Sequence, residues 1–147
     1  MMDMTDPHET ADLLERQDSR LLSQVAVLVG RQVGAALEAR GATKHDFAVL
    51  ATLDQYGPDS QANLARRTRI DRSDMVAALS GLEAAGAVVR DVDATDRRRN
   101  VVALSAAGRA RLAELAAALE VAQAQAMAPL DAAERDVLRG LLRKLRG

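Results

Sequence analysis

Three short, separately capped helical segments follow one another between Thr43 and Gly86, and two extended runs come directly after them. Few folds accommodate that order. Thr43 is placed to cap a helix carrying Phe47, Val49, Leu50 and Leu53. That helix must stop before Tyr56-Gly57-Pro58, where glycine supplies backbone freedom and proline blocks continuation. Ser60 caps a helix of about two turns with Ala62, Leu64 and Ala65, and Arg67 to Ile70 form the next turn. Asp71 caps the third helix, whose expected inner face is Met75, Val76, Leu79 and Leu82. Gly86 stands where a left-handed residue would close it. Val88-Val89-Arg90 and Asn100 to Leu104 are extended pieces joined by the charged stretch Asp91 to Arg99, a hairpin too small to stand without the helices.

Long helices flank this unit. Apolar residues at Leu14, Leu21, Val25 and Leu28, and at Leu22, Val25, Val29 and Val33, predict one amphipathic helix from Ala11 to about Ala39, ended near Gly41. Ser105 caps a second, through Leu112, Leu115 and Leu119 to about Met127, which Pro129 interrupts. Asp131 opens a last helix with a capping box to Glu134, and Val137, Leu138, Leu141, Leu142 and Leu145 recur along it at helical spacing. With Phe47 and Tyr56 the only aromatics, the core must be built of small aliphatics that bury less surface per residue. The first and last helices are therefore expected to bury their stripes against a second copy. The fold class that results is mainly α with a small β-hairpin wing: a winged helix-turn-helix domain flanked by long dimerisation helices. Residues 1–10 are expected to be a flexible tail, 11–41 the N-terminal dimerisation helix, 42–104 the winged helix-turn-helix lobe, and 105–147 the C-terminal dimerisation helices.

Composition excludes several functions. There is no cysteine, hence no disulfide, thiolate metal site or thiol nucleophile. No apolar run approaches the roughly 18 residues that a membrane span needs, and no leader pattern opens the chain, so the expected location is cytoplasmic with no membrane partner. Only His8 and His45 are available as imidazoles, and no acid, base and oxyanion donor converge, so neither catalysis nor a metal or other cofactor is expected. Asp91, Asp93 and Asp96 are close enough in sequence to bind a cation, or to pair with neighbouring arginines and cap turns.

The positive charge is local. Although 20 basic residues face 21 acidic ones, Arg66, Arg67, Arg69 and Arg72 gather at the helix-turn-helix, and Arg97, Arg98 and Arg99 at the wing tip. Each run alone is what a solvated face looks like; placed together at those two points they match double-stranded DNA. The start of the Asp71 helix, with Ser73 and Asp74, would enter the major groove, the arginine-rich turn would meet phosphates, and a wing arginine would lie in the minor groove. Ser60, Gln61 and Asn63 are suited to phosphate contact, though Ser60 also serves as a cap. Asp74 has two readings: a capping-box acid for Asp71, or an acceptor for cytosine N4.

The chain resembles the MarR family of bacterial transcriptional regulators. The resemblance rests on Phe47-Ala48-Val49-Leu50, Gln61-Ala62-Asn63-Leu64-Ala65, Ile70-Asp71-Arg72-Ser73, Leu82-Glu83-Ala84-Ala85-Gly86 and, above all, the stretch from Asp96 to Gly108. It implies a homodimer closed by the first and last two helices, with Arg98 reaching the minor groove and Asp96 ordering it. It further implies a repressor of a pseudopalindromic operator that a small-molecule effector relieves. Where the family's recognition helix usually offers Ser or Thr and often a basic residue, this chain has Asp74, Val76 and Ala77. The candidate effector pocket is Arg20, Arg31, His45 and Phe47, with His45 either a donor to an anionic ligand or simply a half-exposed residue at a helix start. A rival reading keeps the fold but makes it a protein-interaction or scaffold dimer with weakened DNA contacts.

Overall fold

The computed structural model describes residues 9–92, 94–96 and 100–147. Of the expected tail, residues 1–8 lie outside the described residues, and Glu9 and Thr10 carry no regular structure.

The first long helix is two helices. A short α1 (Asp12–Glu15) ends at Arg16, and α2 (Asp18–Glu38) begins after Gln17, whose backbone is extended at φ −86° and ψ 102°. The break falls in Glu15-Arg16-Gln17-Asp18, four polar residues in succession, where no apolar side chain reaches the core to favour continuity. Gln17 Nε2 donates back to the Leu13 carbonyl at 3.3 Å and holds the turn.

The helix α3 (Lys44–Tyr56) starts with a complete capping box. Thr43 Oγ1 accepts from the Asp46 N–H at 3.2 Å, and Asp46 Oδ2 accepts from the Thr43 N–H at 2.9 Å. The chain then forms β1 (Asp59–Ser60), α4 (Gln61–Thr68) and α5 (Arg72–Ala84). The hairpin β2 (Val88–Val92) and β3 (Asn100–Leu104) follows, and α6 (Ala106–Ala126) and α7 (Ala132–Arg146) close the chain. The sheet has three strands in the order β1-β3-β2, all antiparallel, rather than the two expected. Asp59 lies opposite Val102 and Ser60 opposite Val101. A two-residue strand shows no alternation to read, and it exists because the start of α4 is set against the free edge of β3.

Helix α4 continues through Arg67 and Thr68, two residues further than expected, and ends at Arg69 in the left-handed conformation with φ 57°. In α5, Met75, Ala78, Leu79 and Leu82 are buried. Val76, expected on the inner face, instead points outward and is 44% exposed. A helical residue is rotated about 100° from its neighbour, so with Met75 at the centre of the buried face Val76 leaves it.

Ser105 caps α6 by accepting from the Gly108 N–H at 3.0 Å while its own hydroxyl donates to the Gly86 carbonyl at 2.5 Å. Gly86 itself is left-handed at φ 73°. Asp131 and Glu134 complete a capping box at α7. The core lies under the helix-turn-helix, where Val49, Leu50, Leu64, Met75, Leu79, Val88 and Val102 meet Leu115 and Leu119 of α6 and Leu37 near the end of α2. Helix α2 packs along α6, and α6 also packs on α3. Leu37 is the one buried residue of α2, and α7 has none. Leu21, Leu22, Val25, Leu28, Val137, Leu141, Leu142 and Leu145 are left exposed.

Candidate nucleic-acid interface

The start of α5 is set by its cap. Asp71 Oδ1 accepts from the Asp74 N–H at 2.8 Å and from the Ser73 hydroxyl at 2.9 Å, which together hold the Asp71 carboxyl below the usual carboxylate range. The reciprocal arm is not formed at this helix, unlike α3 and α7. The carboxylate of Asp74, 53% exposed, faces the ring of His45 instead, with Oδ2 3.8 Å from Nε2. His45 lies in the first turn of α3, which packs on α5, so the contact ties the two helices at the end where α5 starts.

A second network orders α4. Asp59 Oδ1 accepts from the Ser60 N–H at 2.8 Å and from Asn63 Nδ2 at 2.9 Å, and its Oδ2 accepts from Arg67 Nε at 3.3 Å. Burial pushes the Asp59 carboxyl up, but the hydrogen bonds from Asn63, Ser60 and Arg67 outweigh it and leave the group below its ordinary value. Asn63 Oδ1 accepts from Arg66, and the Arg67 guanidinium lies over the Tyr56 ring, 4.2 Å from its centre. Ser60 is 7% exposed, and its hydroxyl accepts from the Asn63 N–H at 3.2 Å, so it is a cap and a strand residue, turned away from solvent.

A third link joins strand to helices. Arg90 on β2 approaches Glu83 of α5, Nε to Oε2 2.7 Å, a close ion pair without the alignment of a hydrogen bond. Its Nη1 donates to Gln61 Oε1 of α4 at 3.3 Å. Neither Asp59 nor Arg90 was singled out from sequence. For Arg90 a signal existed: strand alternation puts it on the same face as the buried Val88.

Of the expected DNA-binding residues, Arg66, Arg67, Arg69, Arg72, Ser73 and Asp74 are exposed along α4, the turn and the start of α5, while Gln61 and Asn63 are half-buried and engaged in the contacts above. Arg97, Arg98 and Arg99 lie outside the described residues, and with them the ordering of Arg98 by Asp96. The expected effector set does not converge. Phe47 packs against the core, His45 faces Asp74, and Arg20 and Arg31 are exposed on α2, which does not pack closely on α3. A cavity of about 350 Å³ lies elsewhere, between the start of α3, the end of α5 and the start of α6. Gly41, Ala42, Asp46, Leu82, Ala85 and Arg111 are among its walls.

The MarR family model matches residues 40–99, from the end of the first long helix into the wing. The HTH-type transcriptional repressor Rv2887 of Mycobacterium tuberculosis is 34% identical over 125 residues, 85% of this chain and 90% of that protein. The chain belongs to the MarR family. As a MarR-family protein it is a winged helix-turn-helix, DNA-binding transcription regulator and not an enzyme. A solved structure of a probable transcriptional regulator from Pseudomonas aeruginosa is 34% identical, with a TM-score of 0.79 over 90% of this chain and 98% of that one. The structure of Rv2887 in complex with DNA is 31% identical, with a TM-score of 0.76 over 89% and 98%. Rv2887 has also been solved with p-aminosalicylic acid, at 31% identity, a TM-score of 0.71, and 89% and 99% coverage. Among the described residues no helix is long and apolar enough to cross a membrane.

Proposed function

We propose that this protein acts as a homodimeric repressor that binds a pseudopalindromic DNA operator and is released from it by a small-molecule effector. The observation that carries the reading is the start of α5: exposed, rigidly capped by Asp71, and flanked by Arg66, Arg67, Arg69 and Arg72. Helix N-termini present unpaired N–H groups and a positive dipole end, so this corner of the fold suits a polyanion. In the proposed complex the arginines of α4 and the turn meet phosphates, and Ser73 and Asp74 enter the major groove with the helix. The wing arginines Arg97, Arg98 and Arg99, with Asp96 ordering Arg98, take the minor groove. Ser60 is assigned to the fold rather than to DNA.

The exposed apolar faces of α2 and α7 support dimerisation, because water-exposed Leu and Val at helical spacing gain from burial against a second copy. A two-fold axis would place the two α5 helices about 34 Å apart, and the half-sites about 10 base pairs apart. For the effector, the relative solved with p-aminosalicylic acid favours a small aromatic acid. The cavity bearing Arg111 is the proposed place for it, where the acid would compete with Glu114 for the guanidinium. An effector that prefers a dimer with its reading helices at the wrong separation lowers DNA affinity, and by linkage DNA lowers effector affinity.

The test is a selection of genomic fragments by the purified protein at two salt concentrations. The expected result is an inverted repeat with half-sites about 10 base pairs apart, and an affinity whose logarithm falls with log salt at a slope of about −0.9 per phosphate contact. A folded dimer that enriches no sequence and shows little salt dependence would overturn this reading in favour of a protein-binding surface on the same fold.

A further inference from the structure

The outward face of α5 carries an apolar side chain that the protein on its own does not use. Val76 is 44% exposed, while Met75, Ala78, Leu79 and Leu82 of the same helix fill the core. A β-branched residue on a solvent-facing helix position lowers helix propensity and buries little. Neither helix formation nor packing accounts for it. Apart from Arg72, which opens the helix and is assigned to phosphates, its neighbours on the exposed first two turns are poor readers of base edges. The Ser73 hydroxyl is donated to Asp71, the Asp74 carboxylate is turned to His45, and Ala77 offers a single methyl. Val76 is therefore the largest apolar surface on that part of the helix, at a depth that follows directly after the capped N-terminus.

We infer that Val76 is a specificity-determining residue that packs on the C5-methyl group of a thymine in the major groove. That methyl is the one apolar feature a base pair presents there, and cytosine at the same position lacks it and shows an amine donor instead. An isopropyl group against a methyl removes both from water, whereas against a cytosine edge it would cover a donor without satisfying it. This inference rests on the reading of the chain as an operator-binding regulator.

The experiment uses the full chain and the operator obtained from the selection above. Each thymine of the half-sites is replaced in turn by deoxyuridine, which removes only the C5-methyl, and the binding of wild type, Val76→Ala and Val76→Ile is titrated. At one symmetric position the wild type is expected to lose about fourfold in affinity per half-site, the factor for one methyl-sized burial. Val76→Ala should bind thymine and deoxyuridine there alike, and Val76→Ile, which keeps the apolar surface, should retain the preference. Because the side chain is exposed, melting temperatures should stay near that of the wild type. If no thymine is sensitive, or if Val76→Ala is as sensitive as the wild type, the assignment of Val76 is overturned while the regulator reading stands. A folded wild-type dimer that selects no sequence and shows little salt dependence overturns both, and that outcome is read before any variant is made.

Discussion

Asp59 does more for the helix-turn-helix than its place in a two-residue strand suggests. One carboxylate receives the Ser60 N–H, the Asn63 amide and the Arg67 guanidinium, and so ties β1 to the length of α4. Because these contacts lower its pKa in the folded state, its contribution is fully present above the ordinary value of 3.8 and is lost as pH falls through the lower folded value. Asp59→Asn should therefore be less stable than wild type by about 1–2 kcal/mol at neutral pH. Denaturant melts should show the gap closing as pH drops below 3.8. A gap that stays constant into acid would mean that the charge plays no part. Arg67, held by Asp59 and stacked on Tyr56, keeps a defined direction that a lone exposed arginine would lack.

Among the elements, the start of α6 lies close against Ala87 and Leu104, and of the described glycines only Gly108 stands where a Cβ would meet other atoms closer than 3 Å. A Cβ at that position would lie 2.0 Å from the Ala87 carbonyl oxygen and 2.7 Å from Leu104 Cδ1. The Ser105 hydroxyl bonds Gly86 from the same turn, so α6 is joined to the end of α5 and to β2 at once. Gly108→Ala should cost about 3 kcal/mol, because backbone, unlike a flexible side chain, cannot move aside cheaply. Thermal unfolding checks this, and a variant that melts with the wild type would show that α6 can shift along the lobe. The Arg90 link is the counterpart on the other side of the sheet, where one side chain meets both Gln61 of α4 and Glu83 of α5. Together these contacts make the strands and helices of the lobe one unit, which a protein presenting a helix to DNA needs, since a reading helix is only as well aimed as its supports.

For the whole molecule the distribution of buried residues is informative. The core is concentrated in the lobe, while α7 buries none of its residues and α2 only Leu37. Helices of 21 and 15 residues with that little burial gain their stability elsewhere. Leu141 is 53% exposed on α7 and contributes nothing to the core of its own chain. Leu141→Asp is expected to shift sedimentation at micromolar concentration from dimer toward the mass of one chain, 15.7 kDa, and to weaken operator binding as the two half-sites uncouple. An unchanged dimer would move the interface away from α7.

Most helix starts and stops were legible in the sequence, though neither the break at Gln17 nor strand β1 was. Thr43, Asp71, Ser105 and Asp131 each cap through a hydrogen bond to the residue three positions on, and Gly86 closes its helix by its own φ. Such interactions are complete within one turn of chain, so they are written in neighbouring residues. What remained was decided by contacts between residues far apart. Strand β1 exists because Val101 and Val102, some forty positions later, are brought beside Asp59 and Ser60. Val76 faces outward because α5, rich in Ala, Gly and Ser, has too few large apolar residues for pattern alone to fix its rotation, and the placement of α3 and β2 fixes it instead. Asp74 turns to His45 rather than back to its own cap because α3 offers a ring within reach. Local chemistry set where most of the helices begin and end, and only the assembled core set which way each helix faces.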